Sequence, residues 1–589
     1  MNALYPRDVV AGVLFYVAED FAVLLEAFCA KCQKSDVQFL HIHSLTTIYK
    51  KDIIKGTKAF CINNYKGGYQ SYRLKTTMKN FVRIITLVLA LAMLAVMAAA
   101  CADSADTPDG ADTTPAPQGS VTTPAEGGED TLPPDVDANG FKLDELPEDL
   151  NYGNAEVMIL HWEAERDEFS SEGMTGDNLM DAIYDRNIAV ESRIGVSLKF
   201  REEPGNNKNI DNFKKIVEAS YQAGEQEYDI IATYSRTAAQ LAINGYYADL
   251  NAIDETYLNL DMPWWPESII DTMGVGDALY YVSGDASTNT LHFMYTLYYN
   301  MDLLNDLGMT DPTEFVKNKT WTLDKLIEMT SNQYQDLDSD GALSEGDFYG
   351  FGTIYYGADA FYTGSGLRLV EHDEEKLLKI SPDYASQKAI DLVDKLGDWM
   401  TTNDCYISRS GSSVDFDAPF VSGNMLFVQN RVYMADNKHS SGLNSVEWEY
   451  GLVPTPLYDE NQENYITVIG NPFTLYGIMN DCAQKEMMTA VIECWGSESF
   501  RRTTPALFET NMKYKYTDRA VSVEMFDILR ETSSFDQGRI YANTLGPYMS
   551  EIPSKMATVG SSWATAVKAN MSRIERQLKD IVKSFEKIQ

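Results

Sequence analysis

Between residues 155 and 233 the chain alternates short apolar runs with longer stretches of helical period, and that alternation limits the possible folds more than any other feature. Residues 155–161 read as a buried strand, 176–193 place apolar side chains at helical spacing, and 195–200 form the next strand. A helix near 209–223 and a third strand at 228–233 continue the series. Strands that alternate with helices build βαβ units around a parallel sheet, so the class is α/β. Such sheets bind ligands beyond the carboxyl ends of their strands. Here those ends are His161-Trp162 and Tyr234-Ser235-Arg236.

A second feature lies upstream. Met78 opens a short basic stretch with Lys79 and Arg83, followed by an apolar run from Ile84 to Ala100 and then Cys101. A basic start, an apolar middle and small residues before the cut describe a secretory signal peptide. Its apolar run falls short of the ~20 residues a spanning helix wants, an uncleaved membrane anchor being the alternative. The small-residue triplet before Cys101 resembles a lipobox, with Ala98 where leucine is usual, and makes Cys101 the expected lipidation site. Residues 102–140 are almost free of large apolar side chains. They cannot offset their ordering entropy by burial and read as a flexible leash. A signal peptide belongs at an N-terminus, so 1–77 is expected to be a mis-annotated extension, with Met78 the true start. Cys29, Cys32 and Cys61 in that stretch match no common zinc spacing.

Charge narrows the partners. From Cys101 onward the chain carries 36 basic and 81 acidic side chains, a balance of −45. Such a surface repels phosphate backbones, which argues against nucleic acid. Three body cysteines, Cys405, Cys482 and Cys494, cannot all pair internally and have no metal spacing.

A run of short patterns then comes in a telling order. Tyr228-Asp229, Gln240-Leu241-Ala242 and Gly245 to Leu250 precede Asp261 to Trp265, Leu279-Tyr280-Tyr281, Gly284-Asp285 and Leu297 to Asn300. Lys319 to Asp324 and Phe348 to Phe351 follow. In that order they resemble the family 1 extracellular solute-binding proteins over roughly residues 150–589. The resemblance implies a two-lobed periplasmic-binding-protein-like fold (type II), with parallel or mixed sheets flanked by helices and joined by a hinge. It also implies a solute, a sugar by family type, held as the lobes close, and an ABC permease as partner. The expected organisation is 78–100 signal peptide, 101–148 lipidated cysteine and leash, 149–290 first lobe, 291–468 second lobe, and 469–589 a returning segment with C-terminal helices shared by both. Crossings are expected near 288–298 and 466–474, and helices at about 382–400, 482–498, 518–530 and 564–587.

Within the second lobe, Asp336, Asp338 and Asp340 stand at positions 1, 3 and 5 of a twelve-residue pattern, with Gly341 at 6 and Asp347 at 12. A hard cation wants six to eight oxygens, and glycine permits the turn that gathers them. Ala342 would add a backbone carbonyl and Ser344 a further oxygen, making a structural calcium loop; a solvated acidic turn is the alternative.

A sugar site pairs aromatic platforms with hydrogen-bonding groups. The candidates are Trp162, Tyr234, Ser235 and Arg236 at strand ends, Asp285 before the crossing, Tyr355 and Tyr356, Asn471 near the second crossing, and Trp563. Core packing is the commoner fate of a single aromatic, and Trp264, Trp265 and Trp321 read as structural. No chemistry is expected. The four body histidines form no zinc motif, and the chain has neither a Gly-x-Ser-x-Gly elbow nor a phosphate-cradling loop. A secreted polysaccharide-active enzyme and a solute sensor for a membrane receptor are the other readings.

Overall fold

The structure, a computed structural model, describes residues 133–409, 415–435, 443, 446–507, 520–560 and 562–588. The chain divides into two compact units, 1–126 and 127–589, and every described residue belongs to the second. The extension 1–77, the signal segment 78–100 and Cys101 therefore lie outside the described residues. No described helix is long and apolar enough to cross a membrane.

In chain order the elements that matter for the site begin with β1 (Ala155–Trp162), α1 (Asn178–Ile194), β2 (Val196–Glu203), α2 (Ile210–Ala223), β3 (Ile230–Tyr234) and α3 (Ser235–Ile243). Next come β4 (Tyr295–Asn300), β5 (Tyr349–Ile354), α4 (Gln387–Met400), β6 (Cys405–Ser408), β7 (Met425–Arg431), β8 (Tyr450–Val453) and β9 (Thr474–Ile478). The chain closes with α5 (Lys485–Arg501), α6 (Glu551–Val559) and α7 (Trp563–Ile588). The expected alternation is present. Asp177 caps α1 by accepting from Leu179 and Met180, and Gly195 ends it in the left-handed conformation, the device that only glycine adopts without strain.

Two sheets organise the unit. The first has the order β9-β3-β1-β2, with β1 parallel to both neighbours and β9 antiparallel to β3. The second has the order β8-β4-β7-β5-β6, antiparallel on one side of β7 and parallel on the other. Helices flank these mixed sheets, giving two α/β lobes. Their central strands are buried on both faces, as expected of sheets covered by helices.

The chain leaves the first lobe just before β4 and returns at 469–474, where Met294 bridges Ile469. A third strand pair lies beside these crossings, with Thr467 and Val468 parallel to Ser533 and Ser534. Helix α7 touches both lobes. Trp563 packs edge-on against Tyr384 of the second, while Phe585 stacks on Tyr280 of the first.

The leash is shorter than its composition suggests. Val136 bridges Lys142, Phe141 packs edge-on against Phe500, Leu146 is buried, and Asp144 pairs with Arg193 at 2.8 Å. Phe141, Leu146 and the Asp144–Arg193 ion pair fasten this acidic stretch to the first lobe. Cys405, Cys482 and Cys494 are free and buried.

Candidate functional site

The site is assembled from the ends of strands. β1 finishes with Trp162, β3 finishes with Tyr234, and β9 begins beside them with Thr474 in register with Tyr234. The rings of Trp162 and Tyr234 lie 5.5 Å apart, and Trp162 Nε1 donates to Thr474 Oγ1 at 3.0 Å. Both aromatics are almost fully buried, at 1% and 3% exposure. The next two residues of α3 fasten this end of the sheet to the returning chain. Ser235 Oγ donates to the Asn471 carbonyl at 2.6 Å, and Arg236 Nη2 lies 3.5 Å from Ser550 Oγ.

The second lobe presents the facing wall. Tyr295 opens β4 in register with Arg431, the last residue of β7. The Arg431 guanidinium is surrounded by Phe293, Tyr295, Tyr356 and Tyr433, with ring centroids 5.1–5.9 Å away. Its Nη2 donates to Tyr295 Oη at 3.2 Å. Gly470 lets it approach the crossing, because a Cβ there would stand 2.6 Å from Arg431 Nε. Tyr355 and Tyr356 form an edge-on pair 5.3 Å apart, and Tyr356 keeps 36% of its surface exposed.

Electrostatics link the two walls. Glu165, in the turn after β1, is pushed up to about 8 by burial and then by Glu168; Asn289 and Arg431 oppose the rise. Asp417 is likewise pushed up to about 8, by burial and then by Asp415, while Asn430 Nδ2 donates to it at 3.0 Å. Burial raises the Tyr234 hydroxyl, and the charges of Arg236, Arg431 and Arg539 oppose that rise. Arg539 Nη1 donates to the Ile469 carbonyl at 3.0 Å, and its Nε lies 4.0 Å from Asp359.

Of the residues picked from sequence, Trp162, Tyr234, Ser235, Arg236 and Asn471 gather at the first wall, and Tyr355 and Tyr356 belong to the second. Two do not join them. Asp285 is buried against Arg530 at 3.3 Å, with its backbone N–H on the Trp264 carbonyl. Trp563 is fully buried and donates Nε1 to the Tyr384 carbonyl at 3.1 Å, which makes it core. Trp265 and Trp321 are core as expected, bonded to Glu493 and to the Pro454 carbonyl. Glu165, Tyr295, Arg431, Tyr433 and Arg539 were missed. Arg431 ends β7 two polar residues, Gln429 and Asn430, past the apolar run 425–428, so that run alone did not mark it.

The acidic loop lies apart from this site, just before β5. Gln335 and Phe348 exchange backbone hydrogen bonds at its base. One oxygen each from Asp336, Asp338 and Asp340 lies within 4.8 Å of the others. Asp336 Oδ2 accepts from the Gly341 N–H at 2.9 Å, and its Oδ1 is buried with no hydrogen-bond partner. Asp347 is buried and accepts from the N–H groups of Leu337 and Ser344. These residues fit a hard, oxygen-seeking cation.

No family model matches this chain, and neither does any curated protein. Among solved structures it is similar to a cyclo/maltodextrin-binding protein complexed with maltotetraose, at 13% identity and a TM-score of 0.46, covering 73% of this chain and 97% of that one. An ABC substrate-binding protein from Listeria monocytogenes in complex with cycloalternan gives 14% identity, a TM-score of 0.44, and 72% and 99% coverage. The GacH receptor of Streptomyces glaucescens gives 15%, 0.46, and 72% and 99%.

Proposed function

We propose that this chain is an extracellular solute-binding protein that holds a small saccharide between its two lobes and hands it to an ABC import permease, performing no chemistry on it. One observation carries this reading. Aromatic side chains and hydrogen-bonding groups from the strand ends of both sheets converge on one place, with Trp162 and Tyr234 on one wall and Tyr295, Tyr356 and Tyr433 around Arg431 on the other. Sugars offer apolar ring faces and a rim of hydroxyls, which this combination matches.

A saccharide panel read by thermal unfolding tests the reading, because a ligand bound only by the folded state raises the midpoint. A rise with at least one mono- or oligosaccharide, recovered unchanged afterwards, is expected. A rise only with another solute class, or cleavage of the sugar, would overturn it.

Two further parts belong to the proposal. Cys101 carries a lipid that tethers the protein to the outer face of the cell membrane, which mass measurement of the mature N-terminus would test. The loop 336–347 binds one structural calcium ion through Asp336, Asp338, Asp340, Ser344, Asp347 and the Ala342 carbonyl. Chelation should lower the unfolding midpoint, added calcium should restore it, and Asp336→Asn should remove the response. An unfolding curve indifferent to chelator would exclude the ion.

A further inference from the structure

We infer that the solute bears an oxyanion, as in a sugar acid or a sugar phosphate, and that Arg431 is the residue that selects it. This deepens the binding reading above and rests on it. The surface of the chain is strongly acidic, with a formal net charge of −39. Yet three arginines approach the same short crossing. Arg431 lies against Gly470, Arg539 bonds the Ile469 carbonyl, and Arg236 follows the serine that bonds the Asn471 carbonyl.

These three differ in their partners. Arg539 has Asp359 at 4.0 Å, and Arg236 has Ser550. Among the described residues Arg431 has no carboxylate within 4.0 Å, and of its five N–H donors one reaches a protein acceptor there, the Tyr295 hydroxyl. The four rings around it hold the cation, but ring faces make no hydrogen bonds, and the half-buried side chain keeps part of its surface open to solvent. A guanidinium with no carboxylate beside it and its fork open to solvent is free to take up an anion. Its planar fork matches a carboxylate or phosphate with two parallel hydrogen bonds, which a single sugar hydroxyl cannot make. Glu165 feels the charge of Arg431, yet burial favours its neutral form, so it leaves that charge for the solute.

Titration calorimetry decides this with glucuronate, galacturonate, glucose 6-phosphate, their neutral parent sugars and inorganic phosphate. One of the acidic sugars should bind at least about ten times more tightly than its neutral parent. The comparison of uronate with phosphate ester identifies the source of the oxyanion, and inorganic phosphate alone should not compete. Arg431→Ala should weaken the acidic sugar roughly 100-fold and abolish its advantage over the neutral parent. Arg431→Lys, which keeps the charge and loses the fork, should fall between and guards against a folding defect. Unfolding midpoints without ligand check that both variants fold. A neutral sugar bound as tightly as its acid, or an acid-to-neutral ratio unmoved by either variant, overturns the inference and leaves the binding reading standing. Binding of no saccharide at all overturns both.

Discussion

Glu168 lies inside the first lobe, with the Tyr476 hydroxyl donating to one carboxyl oxygen at 2.9 Å and Ser287 Oγ donating to the other at 3.3 Å. Burial pushes its carboxyl up to about 7, against the pull of these bonds and of Arg186. A folded-state value above the unfolded one means that the native protein binds more protons. Stability from this group is therefore complete below about pH 4.5 and is lost as pH rises through 7. Glu168→Gln should flatten the fall of the unfolding midpoint between those values and raise the midpoint at pH 8. A parallel pH profile for variant and parent would contradict the assignment. At this scale the sequence was half legible. Trp162 and Tyr234 followed from strand-end logic, because the period of an apolar run marks where a strand stops. Trp563 did not, since a tryptophan at a helix start looks the same in sequence whether a carbonyl such as that of Tyr384 awaits it or a ligand does.

Helix α5 is buried on nearly every face from Met487 to Ser499, which its lack of a clean polar stripe reflects. Two neighbouring tryptophans lie against it. Trp265 donates to Glu493, and a Cβ at Gly496 would stand 2.6 Å from Trp264 Cδ1 and 2.9 Å from Trp265 Cζ2. Gly496→Ala gains about 1 kcal/mol of helix propensity, but overpacking against two rings that cannot retreat costs about 1–3 kcal/mol. A lower urea midpoint with unchanged far-ultraviolet dichroism is expected; an equal or higher midpoint would show that the rings can move. Helices were the most legible elements. The span expected at 564–587 is Trp563–Ile588, and that expected at 176–193 is Asn178–Ile194. The second sheet was not enumerated, because its strands come from segments as distant as 295 and 450, and no local pattern says which will pair.

On the scale of the whole molecule, the chain passes between the lobes beside Met294 and Ile469, and the walls of the site meet at those crossings. A saccharide held there should slow amide exchange at 293–296 and 469–473 more than elsewhere. Protection confined instead to the surface depression of Lys388, Asp391, Tyr458 and Gln462 would move the site to the outside of the second lobe. The two-lobed plan was legible from the strand–helix alternation and the order of the family-like patterns. The fastening of residues 135–146 was not, because it depends on Phe141 meeting Phe500 and Asp144 meeting Arg193, partners that lie far along the chain.

That fastening has a mechanical consequence. Any pull transmitted along the chain from before residue 133 arrives at helices α1 and α5 of the first lobe, through Arg193 and Phe500, and not at the second. A tethered molecule would thus keep one half stationary beside its anchor while the other swings, and the mobile half would be the one that carries the arginine among its rings.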